Sequence, residues 1–302
     1  MDNVLVVGSL NMDFAVYMER RPVAGETVMA QSMKLVPGGK GANQAYALGK
    51  LGVRTSMVGA VGTDTFGEQL LESLESVSVN TAGIKRIAGT ETGKAFIEIE
   101  NSGQNSISVI AGTNAAVDEA LVLGRENLFA QVDAVVMQLE IPVSSVVAGA
   151  KLARKYGKIV VLDPAPARAD LPNELWPLVD ITKPNETELA LLTGLPTGTE
   201  DEVVTAAKFL LTKGVKAVMV TMGGDGTMLV TADKVEKFSA YKVKAVDTTA
   251  AGDCFLAAFV SRFTGSNFDE AIDFGARAAA IAVTRQGAQT SIPTIEEVEG
   301  FN

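Results

Sequence analysis

The sequence predicts an α/β fold: a doubly wound, mostly parallel sheet with helices on both faces, carrying a small antiparallel β lid. Three observations lead there. Short uninterrupted apolar runs recur along the chain, as in strands buried on both faces. Helix-like segments separate them, an alternation that implies right-handed crossovers. Two regions break the alternation with a period of two, the pattern of a sheet with one face in water.

The first apolar run, residues 4–7, ends in Gly8-Ser9, as a buried parallel strand does where it opens into a loop. Residues 134–137, 159–162, 181–183 and 217–221 read the same way. Residues 42–51, 66–76, 143–156, 186–193 and 200–213 read as the helices. Apolar and polar residues alternate in Lys94-Ala95-Phe96-Ile97-Glu98-Ile99 and in Ser106-Ile107-Ser108-Val109. Asn101-Ser102-Gly103-Gln104-Asn105 is the expected hairpin turn between them, because Asn and Gly supply the unusual backbone angles. Residues 14–36 and 93–110 together form the lid. No repeat or long linker divides the chain, so residues 1–302 are expected to make one domain.

A chain of 302 residues with 47% hydrophobic residues can bury a full core. Its net charge of −10 repels phosphate backbones, so nucleic acid is not an expected partner, and small molecules are. No apolar run approaches the ~18 residues of a membrane span. The start lacks a signal peptide's pattern and the single Cys254 has no internal disulfide partner, which points to a cytoplasmic location. With no histidine, Ser-His-Asp hydrolysis, Cys-His proteolysis and His-ligated zinc are excluded. Carboxylates, lysine, backbone amides or a bound ion must carry any chemistry.

Asp247-Thr248-Thr249-Ala250-Ala251-Gly252-Asp253 precedes an apolar helix over residues 254–263, with Gly265 as its expected cap. Small residues let the backbone approach a ligand, and the helix start offers free N–H groups to an anion. Asp253 projects from that start, where a carboxylate can accept the proton of an attacking hydroxyl. Helix capping is its simpler role. Capping requires neither Asp247 nor the run of small residues between the two.

Pro37-Gly38-Gly39-Lys40-Gly41-Ala42-Asn43 opens the next informative segment. It is not a Walker A loop, and no G-x-G-x-x-G follows the first strand. Gly39, Lys40 and Asn43 suit a polar cavity that holds a sugar; a plain glycine-rich turn is the alternative. Asn11 and Asp13 follow the first strand at its carboxyl end, where ligands sit in open α/β sheets. Asn185 and Glu188 have the spacing of a capping box and equally of a pair holding the water shell of Mg²⁺. Thr221, Gly223 and Gly226 form a strand-to-loop switch suited to nucleotide phosphates.

These residues resemble the ribokinase family, also called the PfkB carbohydrate kinases, across essentially the whole chain. Gly8–Asp13 is similar to the family's opening sugar-binding segment, Pro37–Asn43 to its first signature and Asp247–Asp253 to its second. Ala250 departs from the pattern, since many members carry Gly there. The resemblance implies transfer of the ATP γ-phosphoryl group to a sugar hydroxyl, most closely the primary hydroxyl of D-ribose. Fructose, a 2-keto-3-deoxy sugar acid or a nucleoside are the alternative acceptors.

By the same resemblance Asp253 is the base, and Ala250, Ala251 and Gly252 supply anion-hole amides. Asn11, Asp13, Gly39, Lys40, Asn43, Glu140 and Asp247 hold the sugar. Asn185 and Glu188 serve Mg²⁺ through water, and Asn185, Thr221, Gly223 and Gly226 lie along ATP. A monovalent cation, K⁺, is implied at Asp247, Thr249, Val283, Gly287 and Ser291. The exposed lid sheet suggests a homodimer formed through it.

Overall fold

A computed structural model describes residues 1–102 and 104–301. The strands are β1 (Asn3–Val7), β2 (Asn11–Met18), β3 (Ser32–Gly38), β4 (Arg54–Gly62), β5 (Asn80–Ile87), β6 (Gly93–Glu100), β7 (Asn105–Ile110), β8 (Ala134–Met137), β9 (Ile159–Leu162), β10 (Ile181–Thr182), β11 (Ala217–Thr221), β12 (Thr227–Thr231) and β13 (Val235–Phe238). Among the described residues they form a nine-stranded sheet, β13-β12-β11-β10-β9-β8-β1-β4-β5, and a four-stranded sheet, β3-β2-β6-β7.

In the large sheet every pairing from β5 to β11 is parallel; the β11–β12 and β12–β13 pairings at one edge are antiparallel, so β12 alone reverses direction. Period two sends successive side chains to opposite faces. Val4 and Val6 of β1 accordingly join the core cluster that includes Leu256 and Phe259, while Leu5 and Val7 join the one that includes Val146 and Leu210. Both faces are covered, which is why the strands read as unbroken apolar runs. The chain proceeds from β1 to β4 on one side and to β8 on the other, so the strand order reverses at β1. Its carboxyl end is the place where such a sheet leaves a crevice.

The helices begin as their sequences direct. Asp64 accepts the Gly67 N–H at 2.8 Å, and Thr199 with Glu202 makes a capping box. The helix predicted over 254–263 spans Ala251–Arg262. Its C-cap is Phe263 in extended conformation, not Gly265, whose φ of 108° serves the loop beyond. Phe263 is buried and packs against Phe259 and Phe268 where the helix ends.

The lid is not wholly antiparallel as the period-two pattern suggested. β3 with β2 and β6 with β7 are antiparallel, but the inner pair, β2 with β6, is parallel in the register Asn11 to Gly93. Alternation reports which face is wet and says nothing about strand direction. Glu100 N–H donates to the Gln104 carbonyl, closing the expected hairpin, whose Gly103 lies outside the described residues. The lid also begins earlier than residue 14: β2 starts at Asn11, three residues after the glycine that ends the first strand's run.

Candidate active site

The three loops singled out in the sequence meet at the carboxyl edge of the large sheet. The helix Lys40–Lys50 starts at Gly39, whose φ of 88° belongs to glycine, and a Cβ there would come within 2.7 Å of the Asn11 nitrogen. A Cβ on Gly38 would run into the Asp13 carboxylate. The glycines therefore let the second loop lie directly on the first.

Asp253 is buried on the first turn of the helix Ala251–Arg262. Its Oδ2 accepts from Asn43 Nδ2 at 3.1 Å and its Oδ1 from Gln44 Nε2 at 2.9 Å. Lys40 Nζ stands 3.9 Å from Oδ1. Burial raises the Asp253 pKa and the nearby Asp163 adds to this, while Lys40 and the two amides oppose it. A carboxyl brought up from the ordinary range but still hydrogen-bonded as an acceptor is what a general base requires. The surrounding carboxylates act on Lys40 in turn: burial works against its charge, but Asp163 and Asp253 outweigh that and raise its pKa.

Asn11 and Asp13 lie at the start of β2, both buried. Asn11 Oδ1 accepts from Asn114 Nδ2 at 2.7 Å, and its own amide nitrogen makes no hydrogen bond among the described residues. Asp13 Oδ1 has no hydrogen-bond partner among the described residues. Burial, then the charges of Glu140 and Asp253, push the Asp13 carboxyl up to about 8. A buried acceptor without a donor is costly, and a ligand hydroxyl would satisfy it. Glu140 joins this group through its Oε2, which accepts from Lys40 N–H at 3.0 Å and from Ser9 Oγ.

Asp247 lies to one side and collects backbone from two loops. Its Oδ1 accepts from Thr249 N–H and its Oδ2 from Gly287 N–H, each at 2.9 Å. Burial works against the charge, but these bonds outweigh it and hold the carboxyl below its ordinary value. The Val283 carbonyl accepts the N–H groups of Val246 and Asp247. Ser291 Oγ is directed to the Ala288 carbonyl instead, and no described hydrogen bond joins it to this group.

On the other side of Asp253 opens a cavity of about 700 Å³ lined by Lys40, Asn185, Glu188, Thr221, Gly223 and Gly226, and by Ala250, Ala251, Gly252 and Asp253. Ala276, Ala279, Ala280 and Val283 supply its apolar wall. Asn185 and Glu188 do form a capping box at its rim: Asn185 Oδ1 accepts the Glu188 N–H and Glu188 Oε2 the Asn185 N–H, both at 2.8 Å. One Glu188 oxygen remains free of that box. The residues predicted for the nucleotide and the anion hole thus line one cavity; of those predicted for the sugar, Asn11, Asp13, Asn43 and Glu140 gather beside Asp253, and Asp247 does not join them.

Besides Asn114, four buried polar residues join the site that the sequence does not single out: Gln44, Gln138, Asp163 and Lys183. Gln44 Nε2 donates to Asp163 Oδ2 as well as to Asp253, at 2.9 Å each, and its Oε1 accepts from Gln138 Nε2 at 2.5 Å. Lys183 Nζ lies 3.4 Å from Asp163 Oδ1. The signal available was positional, since Asp163, Lys183 and Gln138 each end or follow an apolar run.

A family model described as pfkB family carbohydrate kinase matches residues 1–295. The chain belongs to that family. Among its relatives in the pfkB family is the ribokinase of Staphylococcus aureus (strain COL), 40% identical over 300 residues and 98% of both chains. The deoxyribokinase of Salmonella typhi is 36% identical over 301 residues, 99% of this chain and 98% of that one. The structure of Arabidopsis thaliana ribokinase complexed with ribose and ATP superposes with a TM-score of 0.93 at 36% identity, covering 99% of this chain and 98% of that one. This chain is accordingly a carbohydrate kinase of the pfkB family, and its large sheet with a smaller second one matches that of the ribokinase structure. Among the described residues no helix is long and apolar enough to cross a membrane.

Proposed function

We propose that the chain transfers the γ-phosphoryl group of ATP to the primary hydroxyl of D-ribose, giving D-ribose 5-phosphate and ADP. The observation that carries this reading is the position of Asp253. It closes the back of the cavity that anion-hole and nucleotide residues line, and faces the polar cluster of Asn11, Asp13, Asn43 and Glu140. Asp253 accepts the hydroxyl proton as the sugar oxygen attacks in line, and the Gly252 N–H offsets charge on the moving phosphoryl group, while the Ala251 N–H is donated to the Thr248 carbonyl. The sugar cluster is rich in carboxylates, with the Lys40 ammonium beside them, so it favours neutral acceptors over sugar acids and sugar phosphates.

Mg²⁺ supplies neutralisation of the phosphate oxygens when bound with ATP. The free Glu188 oxygen at the cavity rim, beside Asn185, fits a role through the ion's water shell. Asp247, held ionised between Thr249 and Gly287, fits a monovalent cation such as K⁺, with Val283 and Ser291 as its outer members. The Val283 carbonyl already serves two amides, which leaves Asp247 as the principal donor. Met33, Leu35, Phe96 and Ile110 are exposed on one face of the lid by the strand register, an apolar surface suited to pairing with a second copy, while the exposed Ile107 and Val109 lie on the other face. We assign the enzyme to the cytoplasm.

The test is ADP release with ATP and Mg²⁺ over ribose, 2-deoxyribose, fructose and adenosine, with and without K⁺. The similarity to a deoxyribokinase makes 2-deoxyribose the informative competitor. Turnover highest with ribose and raised by K⁺ supports the reading; preference for another acceptor overturns the assignment of ribose.

A further inference from the structure

Asp163 and Lys183 are buried charges to which the transfer described above gives no task. Asp163 follows β9 and is 1% exposed; Lys183 follows β10 and is 4% exposed. The two strands are parallel neighbours, and Lys183 N–H donates to the Leu162 carbonyl, so the residues stand side by side at the sheet's carboxyl edge. Lys183 Nζ lies 3.4 Å from Asp163 Oδ1, but that oxygen takes part in no hydrogen bond among the described residues. The ammonium makes none there either, although both side chains line the cavity. Buried charge that is paired but not hydrogen-bonded is expensive to keep.

The unsatisfied side of Lys183 faces the anion hole. A Cβ placed on Gly252 would lie 3.4 Å from Lys183 Nζ. Gly252 is in the first turn of the helix Ala251–Arg262 and lines the same cavity, and its N–H has no backbone partner among the described residues. An ammonium and a helix N–H converging on one point make a site for a phosphoryl group.

We propose that Lys183 is a further contact to the phosphoryl group in transfer, and that Asp163 is the residue that positions it. Asp163 stands between two ammonium groups, with Lys40 3.7 Å from its Oδ2 and Lys183 beside its Oδ1. It keeps them apart, Lys40 with the base Asp253 and Lys183 with the anion hole. When the sugar oxygen bonds to the terminal phosphorus, the bond from phosphorus to the bridging oxygen breaks. The electron pair leaves with ADP, and the hydroxyl proton passes to Asp253. Lys183 stabilises the negative charge on the phosphoryl oxygens through that exchange.

The inference rests on the ATP-dependent transfer proposed above, and binding separates the two. Calorimetry without sugar should show Lys183→Met losing about tenfold in affinity for MgATP, with MgADP within about threefold, because only ATP carries the terminal group. In turnover kcat should fall about 10²-fold with the sugar KM little changed, and Lys183→Arg should recover part of it. Asp163→Asn should lower kcat less, and Asp163→Asn combined with Lys183→Met should match Lys183→Met alone. The double variant also removes both buried charges, so it remains folded if the single Lys183→Met leaves Asp163 stranded. Equal losses for ATP and ADP, or a kcat within twofold of wild type, overturn the contact. A further drop in the double variant assigns Asp163 to Lys40 and Gln44 and overturns its positioning of Lys183. Absence of turnover in the wild type overturns the transfer itself.

Discussion

Asn43 Nδ2 donates to Asp253 Oδ2 over 3.1 Å, although 210 residues separate them in the chain. The bond ties the glycine-rich opening of one helix to the first turn of another, and it fixes the carboxylate as an acceptor beside the sugar cluster. Replacing Asp253 by Asn keeps the shape and removes the proton acceptor. The kcat of Asp253→Asn should fall by about 10²–10⁴ while the sugar KM stays within about threefold. Steady-state kinetics decide this, and near-normal kcat would remove Asp253 from the mechanism.

Asp13 gives the free protein a pH dependence. Its carboxyl is pushed to about 8 when folded, by burial first and then by Glu140 and Asp253, against an ordinary value of 3.8. Between those values the folded state holds a proton that the unfolded chain has lost, so stability falls as pH rises through the window and levels off above it. From about pH 5 to about pH 8 the Tm of the wild type should decline more steeply than that of Asp13→Asn. Parallel curves for the two proteins would show that Asp13 titrates normally.

Ala250 holds a left-handed conformation, φ 58° and ψ 9°, at the N-cap of the helix that carries Asp253. A Cβ is unfavourable there. Ala250→Gly should stabilise the protein by about 1 kcal/mol, the strain relieved exceeding the entropy glycine adds to the unfolded chain. Thermal unfolding should show a Tm higher by about 2 °C. A lower Tm would mean that the surrounding loop makes this conformation comfortable for alanine.

Glu188 can be tested without disturbing its helix, because glutamine also completes a capping box. Glu188→Gln should require about tenfold more Mg²⁺ for half-maximal rate, with an unchanged Tm. A Mg²⁺ titration at fixed ATP measures it, and an unchanged midpoint would leave Glu188 with the capping role alone.

The large sheet was legible where its strands are buried on both faces. β1, β8, β9 and β11 announce themselves as apolar runs because nothing polar can point either way. β4 and β5 were not read. Gly59 and Gly62 interrupt the first, and Lys85 and Arg86 mark the second as an edge strand open to water. The direction of β2 against β6 was invisible for another reason: pairing direction depends on the path between strands, and 74 residues lie from Met18 to Gly93, counting neither.

The candidate site was legible where loops carry their own chemistry. Asp247–Asp253 and Gly38–Asn43 combine small residues with a carboxylate or a lysine, and each reads as a ligand loop on its own. Gln44, Gln138, Asp163 and Lys183 do not. Each is one polar residue at the edge of an apolar segment, and only the order of β8, β9 and β10 brings three of them to the helix that carries Gln44.

Of the residues lining the 700 Å³ cavity, Lys40 alone comes from before Asp163. Asn11, Asp13, Asn43 and Glu140 all come from that earlier part. Under the proposed function, the acceptor cluster of Asn11, Asp13, Asn43 and Glu140 and the donor cavity are therefore written in separate stretches of the chain, joined physically by Lys40 and Asp253. That arrangement implies that the sugar can change without redesign of the nucleotide machinery, and chimeras cut between Glu140 and Asp163 test it.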